Sequence, residues 1–391
     1  MDAHPEIVAA PPTPGEPHVV IQALLDAIGT RVEPGRHDTV AAFAKAFLRR
    51  FPIEELDVLG VDALLGIVRT AFDLADRRGN DPAVVRVFQA EVATDGYATV
   101  GSVVETNTED SPFLVDSVQE ELLARGLGVS RLLHPVIGTI RDEQGRIERV
   151  MPGRDAPHRE SVMHFELDRI LSPEEAADLE RRVTTILRDV RLVVRDFEPM
   201  QQRVRHMIEL ARAGAVRYPP QEVGEAIDFL EWLVQLNFVL LGYREYALVD
   251  FDGEERAAIR AVADSGLGIL SDLQRSAFAD TTRLTDLDEV VRARIEGGDL
   301  LVFSKTNSYS TVHRRARMDY IGVRVVDAKG LITGEARLIG LFTSKAYMEP
   351  AAKTPLLHRK LEQIIAAEDL MPGSHDYKQV VELFESFPRD E

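Results

Sequence analysis

Apolar residues recur at helical spacing in the first part of the chain: at Leu24, Leu25 and Ile28, at Val40, Phe43 and Phe47 behind Asp38 as a candidate cap, and at Leu64, Leu65, Val68 and Phe72. This pattern predicts a helical lead-in over 19–83, preceded by a proline-rich, loose tail over 1–18. The period then shortens. Val84–Phe88 and Ala98–Thr106 are β-rich runs flanking Asp95-Gly96, a dipeptide that tolerates the positive φ angles of a tight hairpin. Ser111-Pro112 reads as a cap followed by proline at the first helical position, with Leu114, Val115, Val118 and Leu122 on one face until Gly126.

A returning strand, Val129–Arg141, is interrupted by Pro135, and Asp142-Glu143-Gln144-Gly145 has the form of a type I turn into Arg146–Val150. Met163, Phe165 and Leu167 alternate with His164, Glu166 and Asp168, which predicts a half-exposed strand. Ser172-Pro173-Glu174-Glu175 is a capping box opening a helix with Leu179, Val183, Ile186 and Val190 on one face. The segment 84–213 is thus expected to be a split β-α-β domain of ferredoxin type, an antiparallel sheet with helices packed on one face. After Gly214 the pattern predicts a helix from Pro220, a buried strand at Phe238–Tyr243, strands at Leu300–Ser304, Asp319–Asp327 and Leu331–Thr343, and two short closing helices. That makes 214–391 a second α+β domain of sensor type.

Composition adds limits. Hydrophobic residues at 45% and charged residues at 28% are ordinary for a soluble globular protein, and no apolar run has the ~18 residues a membrane span needs. The chain has no cysteine, which excludes disulfides and thiolate chemistry, and its start lacks the basic end and apolar core of an export signal. A cytoplasmic protein is expected. A formal charge of -19 opposes binding to nucleic acid or anionic membrane.

Candidate chemistry is sparse. In Gly266-Leu267-Gly268, Ser271 stands where a dinucleotide turn needs its third glycine, so an ordinary loop is the better reading. His158 and His164 lack metal-ligand spacing, and Ser304, Lys305, Ser308 and Ser310 lack a nucleophile's base. No catalytic residue and no metal site is expected in this segment. His313, Arg314, Arg315 and Arg317 form a basic run in an acidic protein and are a candidate interface or anion site; the plain alternative is a solvated face.

Four blocks carry a resemblance. They are Asn107–Val118 with His134-Pro135-Val136; Phe238–Tyr246; Ser304–Arg314 with Asp319–Val323; and Leu338–Tyr347 continuing to Pro372–Asp376 and Pro388–Glu391. In this order they resemble the amino-terminal regulatory region of the bacterial large-type NAD-specific glutamate dehydrogenases. The resemblance implies an ACT-like module over 84–213 and a PAS-like module over 214–391. It also implies a fragment of a longer polypeptide whose catalytic domain lies downstream, a homo-oligomer, and NAD as cofactor of the parent enzyme but not of this segment. The expected role is regulatory or architectural; a free-standing amino-acid sensor or scaffold built from the same modules is the alternative. The loop after the first strand in ACT-like domains contacts amino acids, which makes Asn107, Asp110, Ser111, Phe113 and Asp116 a candidate effector site. Amides opening a helix at Ser111 and Phe113 would hold a carboxylate, and Asn107 and Asp116 an amino group, unless Asp110 and Ser111 serve only as caps.

Overall fold

The apolar repeats at the start of the chain form α1 (Val19–Arg31), α2 (His37–Phe47) and α3 (Ile53–Arg77), the last kinked at Gly60, in a computed structural model that describes residues 19–49 and 51–386. The expected tail over 1–18 and the closing block Pro388–Glu391 lie outside the described residues. Asp38 does not cap α2; it sits in the first turn behind Arg36, which makes no side-chain cap bond. The chain divides into two compact units, residues 1–188 and 189–391.

In the first unit, β1 (Ala83–Phe88) leads through the short helical turn α4 (Val92–Asp95) to β2 (Val103–Glu109), α5 (Leu114–Ala124), β3 (Val129–Leu133), β4 (Val136–Arg141), β5 (Ile147–Pro152), β6 (His158–Leu167) and α6 (Pro173–Arg195). The sheet is antiparallel in the order β1-β2-β6-β4-β5, and β3 pairs with the far half of β6. Pro135 divides β3 from β4, so the two strands share one edge of β6 in succession. Asp142 O accepts from Gly145 N at 2.9 Å, which closes the expected turn. The capping box of α6 also forms: Glu175 N donates to Ser172 Oγ at 3.2 Å and Ser172 N to Glu175 Oε2 at 2.8 Å.

Four expectations for this unit are corrected. Asp95-Gly96 is not a tight hairpin; β1 and β2 do pair antiparallel, but through a longer connection in which Gly96, at φ 81°, ends α4. The helix after β2 does not start at Pro112, because Phe113 takes φ 72° and the helix begins at Leu114 with no side-chain cap. Helices do not cover one face of the sheet only. α3 runs against β1 and β2, and α2 against β4 and β5. Leu24, Phe43, Phe47, Leu64 and Val68 share one buried core with Val103, Ile137, Ile147 and Val162. Met163, Phe165 and Leu167, alternating with Val162 of that core, are buried on the opposite side of β6, and Val118 and Leu122 of α5 and Leu179, Val183 and Ile186 of α6 are buried outside that core. With both faces covered, β6 is buried throughout from Glu160 to Leu167, and the half-exposed strand read from its alternation does not exist. The physical cause is pairing: the charged alternates found partners inside, which removes the need for water.

The second unit contains α7 (Phe197–Ala213), α8 (Pro220–Trp232), β7 (Phe238–Phe251), β8 (Glu254–Ala261), the short β9 (Leu267–Gly268) and β10 (Thr282–Arg283), α9 (Glu289–Glu296), β11 (Leu301–Tyr309), β12 (Arg317–Val326), β13 (Ile332–Phe342), α10 (Ser344–Met348), α11 (Leu357–Ala367) and α12 (His375–Ser386). The division at 188/189 falls inside α6, whereas the expected domain boundary lay at 213/214. α7 packs on β7 and β12, and Arg203 reaches Glu245 at 3.2 Å. The sheet order is β10-β8-β7-β13-β12-β11, antiparallel throughout. β8, entered through Asp252-Gly253, has no counterpart in the sequence-based expectation. Asp327 O accepts from Gly330 N at 3.0 Å and closes the expected turn between β12 and β13.

Candidate functional site

The residues read as an effector site do not all face the same place. Asn107, in β2, is buried, and its amide is spent: Oδ1 accepts from Arg78 Nε at 2.5 Å and Arg141 Nη2 at 3.4 Å, and Nδ2 donates to Ser161 O at 3.3 Å. Asp110, half-buried beyond the end of β2, pairs with Arg159 at 3.2 Å. Ser111 Oγ lies 3.5 Å from Pro112 O and caps nothing in α5, while Phe113 O accepts from Ser117 N at 3.0 Å. Asp116 is exposed in the first turn of α5. Asp110 to Asp116 therefore form one surface turn, and Asn107 belongs to a different, internal network.

That network lies on the side of the sheet that faces α3. Glu160, on β6, receives Arg141 Nη2 at 2.7 Å, Arg78 Nη2 at 2.9 Å and the Thr139 hydroxyl at 2.5 Å. Burial alone would raise the Glu160 pKa, but these donors and charges hold it below the ordinary carboxylate value. His164 is fully buried; its Nδ1 is 3.0 Å from Glu105 Oε1, and its Nε2 makes a looser ionic contact with Glu166 Oε1 at 3.5 Å. Burial disfavours the imidazolium, yet the two carboxylates carry the His164 pKa up to about 9. Thr70 on α3 donates to Glu105 at 2.9 Å, and Arg131 holds Glu166 at 2.7 Å. Farther along α3, Asp76 receives Arg36 and Arg146, each at 2.7 Å, and the Ile147 amide at 2.8 Å. Burial works against the Asp76 charge and is overcome by these donors, so its pKa falls below the usual one.

Such a cluster has the chemistry of a fastener. Its carboxylates are held by arginines, Thr70 and His164, with only the buried Glu105 Oε2 lacking a hydrogen-bond partner among the described residues, and Thr70 and Asp76 tie α3 to the sheet. The sequence-based reading missed Glu105, Glu160 and Glu166, and assigned His164 to an exposed face. The available signal was charge at alternate positions of strands that carry apolar residues at the others.

The basic run is partly internal to the second unit. Arg314 donates to Phe342 O at 3.1 Å and to the Tyr347 hydroxyl at 3.0 Å, and its guanidinium lies 5.5 Å from that ring. His313 takes φ 70° and is half-buried. Arg315 and Arg317 are exposed, Arg315 over Tyr309 at 5.2 Å. The structure thus separates one structural arginine from two surface cations.

Residues 43–183, which span α2 through the first half of α6, match the family model described as glutamate dehydrogenase, ACT1 domain. The chain carries the ACT1 domain of the glutamate dehydrogenase family. Residues 354–391 match a second model, glutamate dehydrogenase, helical motif 1, which takes in α11 and α12. The ACT1 match begins inside α2, in keeping with a helical layer that shares the core of the sheet. The chain is 32% identical over 376 residues to an NAD-specific glutamate dehydrogenase of Halomonas elongata, covering 95% of this chain and 23% of that protein. It is 31% identical over 380 residues to the one of Pseudomonas aeruginosa, with coverages of 96% and 23%. A Mycobacterium tuberculosis NAD-specific glutamate dehydrogenase is 26% identical over 327 residues, 82% of this chain and 18% of the relative. The chain therefore spans less than a quarter of the length of these relatives.

Proposed function

We propose that this chain is the non-catalytic regulatory and assembly region of an NAD-dependent glutamate dehydrogenase, acting on a downstream catalytic domain of the same polypeptide within a cytoplasmic homo-oligomer. The parent reaction would convert L-glutamate, NAD and water to 2-oxoglutarate, ammonia and NADH. The observation that carries this reading is coverage: relatives named NAD-specific glutamate dehydrogenase match nearly the whole chain with under a quarter of their own length. The form of Gly266–Ser271 supports a role without NAD chemistry. Gly268, at φ 58°, pairs with β7 so closely that a Cβ would stand 2.3 Å from Leu241 O, and two short 3-10 turns, Ile269–Ser271 and Leu273–Arg275, follow. No long helix opens toward a pyrophosphate there.

The second unit supports a PAS-like reading through its strand order. Numbered among themselves, its five long strands run second, first, fifth, fourth, third, with α9 and the short strands inserted between the second and third. In the first unit, the proposed amino-acid effector site is the turn that begins at Asn107 and runs to Asp116. Because the Asn107 amide is committed elsewhere, that proposal rests on Asp110, Ser111, Phe113 and Asp116.

The test is spectrophotometric. The purified chain, given glutamate and NAD, should form no NADH, while the full-length enzyme that contains it should; turnover by the chain above a boiled control would defeat the reading.

A further inference from the structure

The sheet of the second unit has two unlike faces. Tyr243, Ile321, Val323 and Leu338 are buried on the side where α7 and α8 pack. The other side is cationic. Register places Arg337 of β13 directly opposite Arg244 of β7 and opposite Gly322 of β12, with Glu335 opposite Arg324. Like charges facing each other across two strands destabilise a sheet unless something neutralises them.

The protein supplies part of that neutralisation. Glu335 receives Arg324 at 2.7 Å and Arg337 Nε at 3.2 Å. Arg244 is buried and finds only the carbonyls of Val262 and Leu270, and its Nε meets no acceptor among the described residues. Arg337 is held differently. Its guanidinium is clamped between the rings of Tyr246 and Tyr320, 4.0 and 4.4 Å from their centroids. Its two terminal nitrogens have no acceptor among the described residues, so a fork of donors is fixed in place and left unused.

Above that fork lies a cavity of about 260 Å³. Arg337, Arg324, Ser304, Tyr320 and the Glu335 carboxylate form its polar floor, with Lys305 beside them already paired to Asp319 at 2.8 Å, and Phe278, Val290, Val291 and Ile295 form its apolar wall. The wall is not satisfied by the protein itself: Val290 is 75% exposed and Val291 41%.

We propose that this cavity binds a small organic carboxylate with a short aliphatic body, the carboxylate gripped by the Arg337 fork and the body laid against Val290, Val291 and Ile295. A planar fork matches a carboxylate in two parallel bonds, and the same anion lowers the repulsion between Arg337 and Arg244. An apolar body removes exposed valine surface from water. The inference goes beyond the regulatory reading and stands without it.

Calorimetry on the full chain with 4-methylpentanoate tests it, with 4-methylpentan-1-ol and inorganic phosphate as comparisons. The carboxylate is expected to bind at least about tenfold more tightly than the alcohol, as charge-assisted bonds require, and more tightly than phosphate. Arg337→Gln should remove that preference. Should that variant fold poorly, Val291→Trp fills the cavity from an exposed position and should abolish binding while the melting temperature holds. Equal binding of alcohol and carboxylate, equal or tighter binding of phosphate, or affinity unchanged in Val291→Trp would each overturn the proposal. An absence of any heat with the wild-type chain at millimolar carboxylate would do the same.

Discussion

His164 shows how far a single residue can depart from its sequence signature. In the string Met163-His164-Phe165-Glu166-Leu167 it alternates with apolar residues as a solvent-facing side chain would. It is buried instead, because Glu105 and Glu166 meet it from two neighbouring positions and Phe47 and Tyr97 pack around its ring. No local pattern announces that Glu105, from a strand far earlier in the chain, will be there. The pKa gives a prediction with a definite sign. Since the folded value, about 9, lies above the ordinary 6.5, the charged histidine contributes stability that is fully present below 6.5 and is lost as pH rises through 9. Urea unfolding should therefore show the chain less stable at about pH 9.5 than at about pH 7, and His164→Gln should flatten that slope. An identical slope in the variant would mean that His164 does not titrate in this range.

At the scale of elements, legibility followed how local the determinant is. The Ser172 capping box, the Pro135 break and the turns at Asp142–Gly145 and Asp327–Gly330 use residues a few positions apart, and all four are present. Ser111-Pro112 has the same local signature as a helix start and yet lies outside α5, because Phe113 turns the chain into the left-handed region first. Two serines of similar sequence context are thus expected to behave differently. Ser172→Ala should cost about 1 kcal/mol of stability, the usual value of a lost cap, and Ser111→Ala only a few tenths. Denaturant midpoints of the two variants compare them directly, and equal losses would show that the serine before α5 also supports its helix. β8 escaped notice for the converse reason: Glu254, Glu255 and Arg256 open it, and its membership is decided by pairing with β7.

For the whole molecule, the sequence conveyed two α+β units of antiparallel sheet but not what covers each sheet. The lead-in helices look like a separate prelude along the chain, and only the shared core of Phe43, Leu64, Val103 and Ile147 makes them one layer of the ACT1 unit. The site residues were less legible than the fold, since the ones with unused donors, such as Arg337, are defined by neighbours on three different strands. Assembly supplies the prediction at this scale. In a chain of formal charge -19, the exposed Arg315 and Arg317 are a local cationic patch complementary to an acidic surface of a neighbouring subunit. Arg315→Glu with Arg317→Glu in the full-length enzyme should weaken assembly, most at low salt. Sedimentation unchanged from the wild type would assign these cations to solvent.

The position of β6 carries a consequence for synthesis. It is the last strand of its sheet along the chain and yet sits between β2 and β4, while also receiving β3. The hairpins β1-β2 and β4-β5 can each form early, but no edge joins them until residues 158–167 have left the ribosome. A sheet that is joined only by its last strand is expected to fold more slowly than one of local pairings, which stopped-flow refolding of this unit checks.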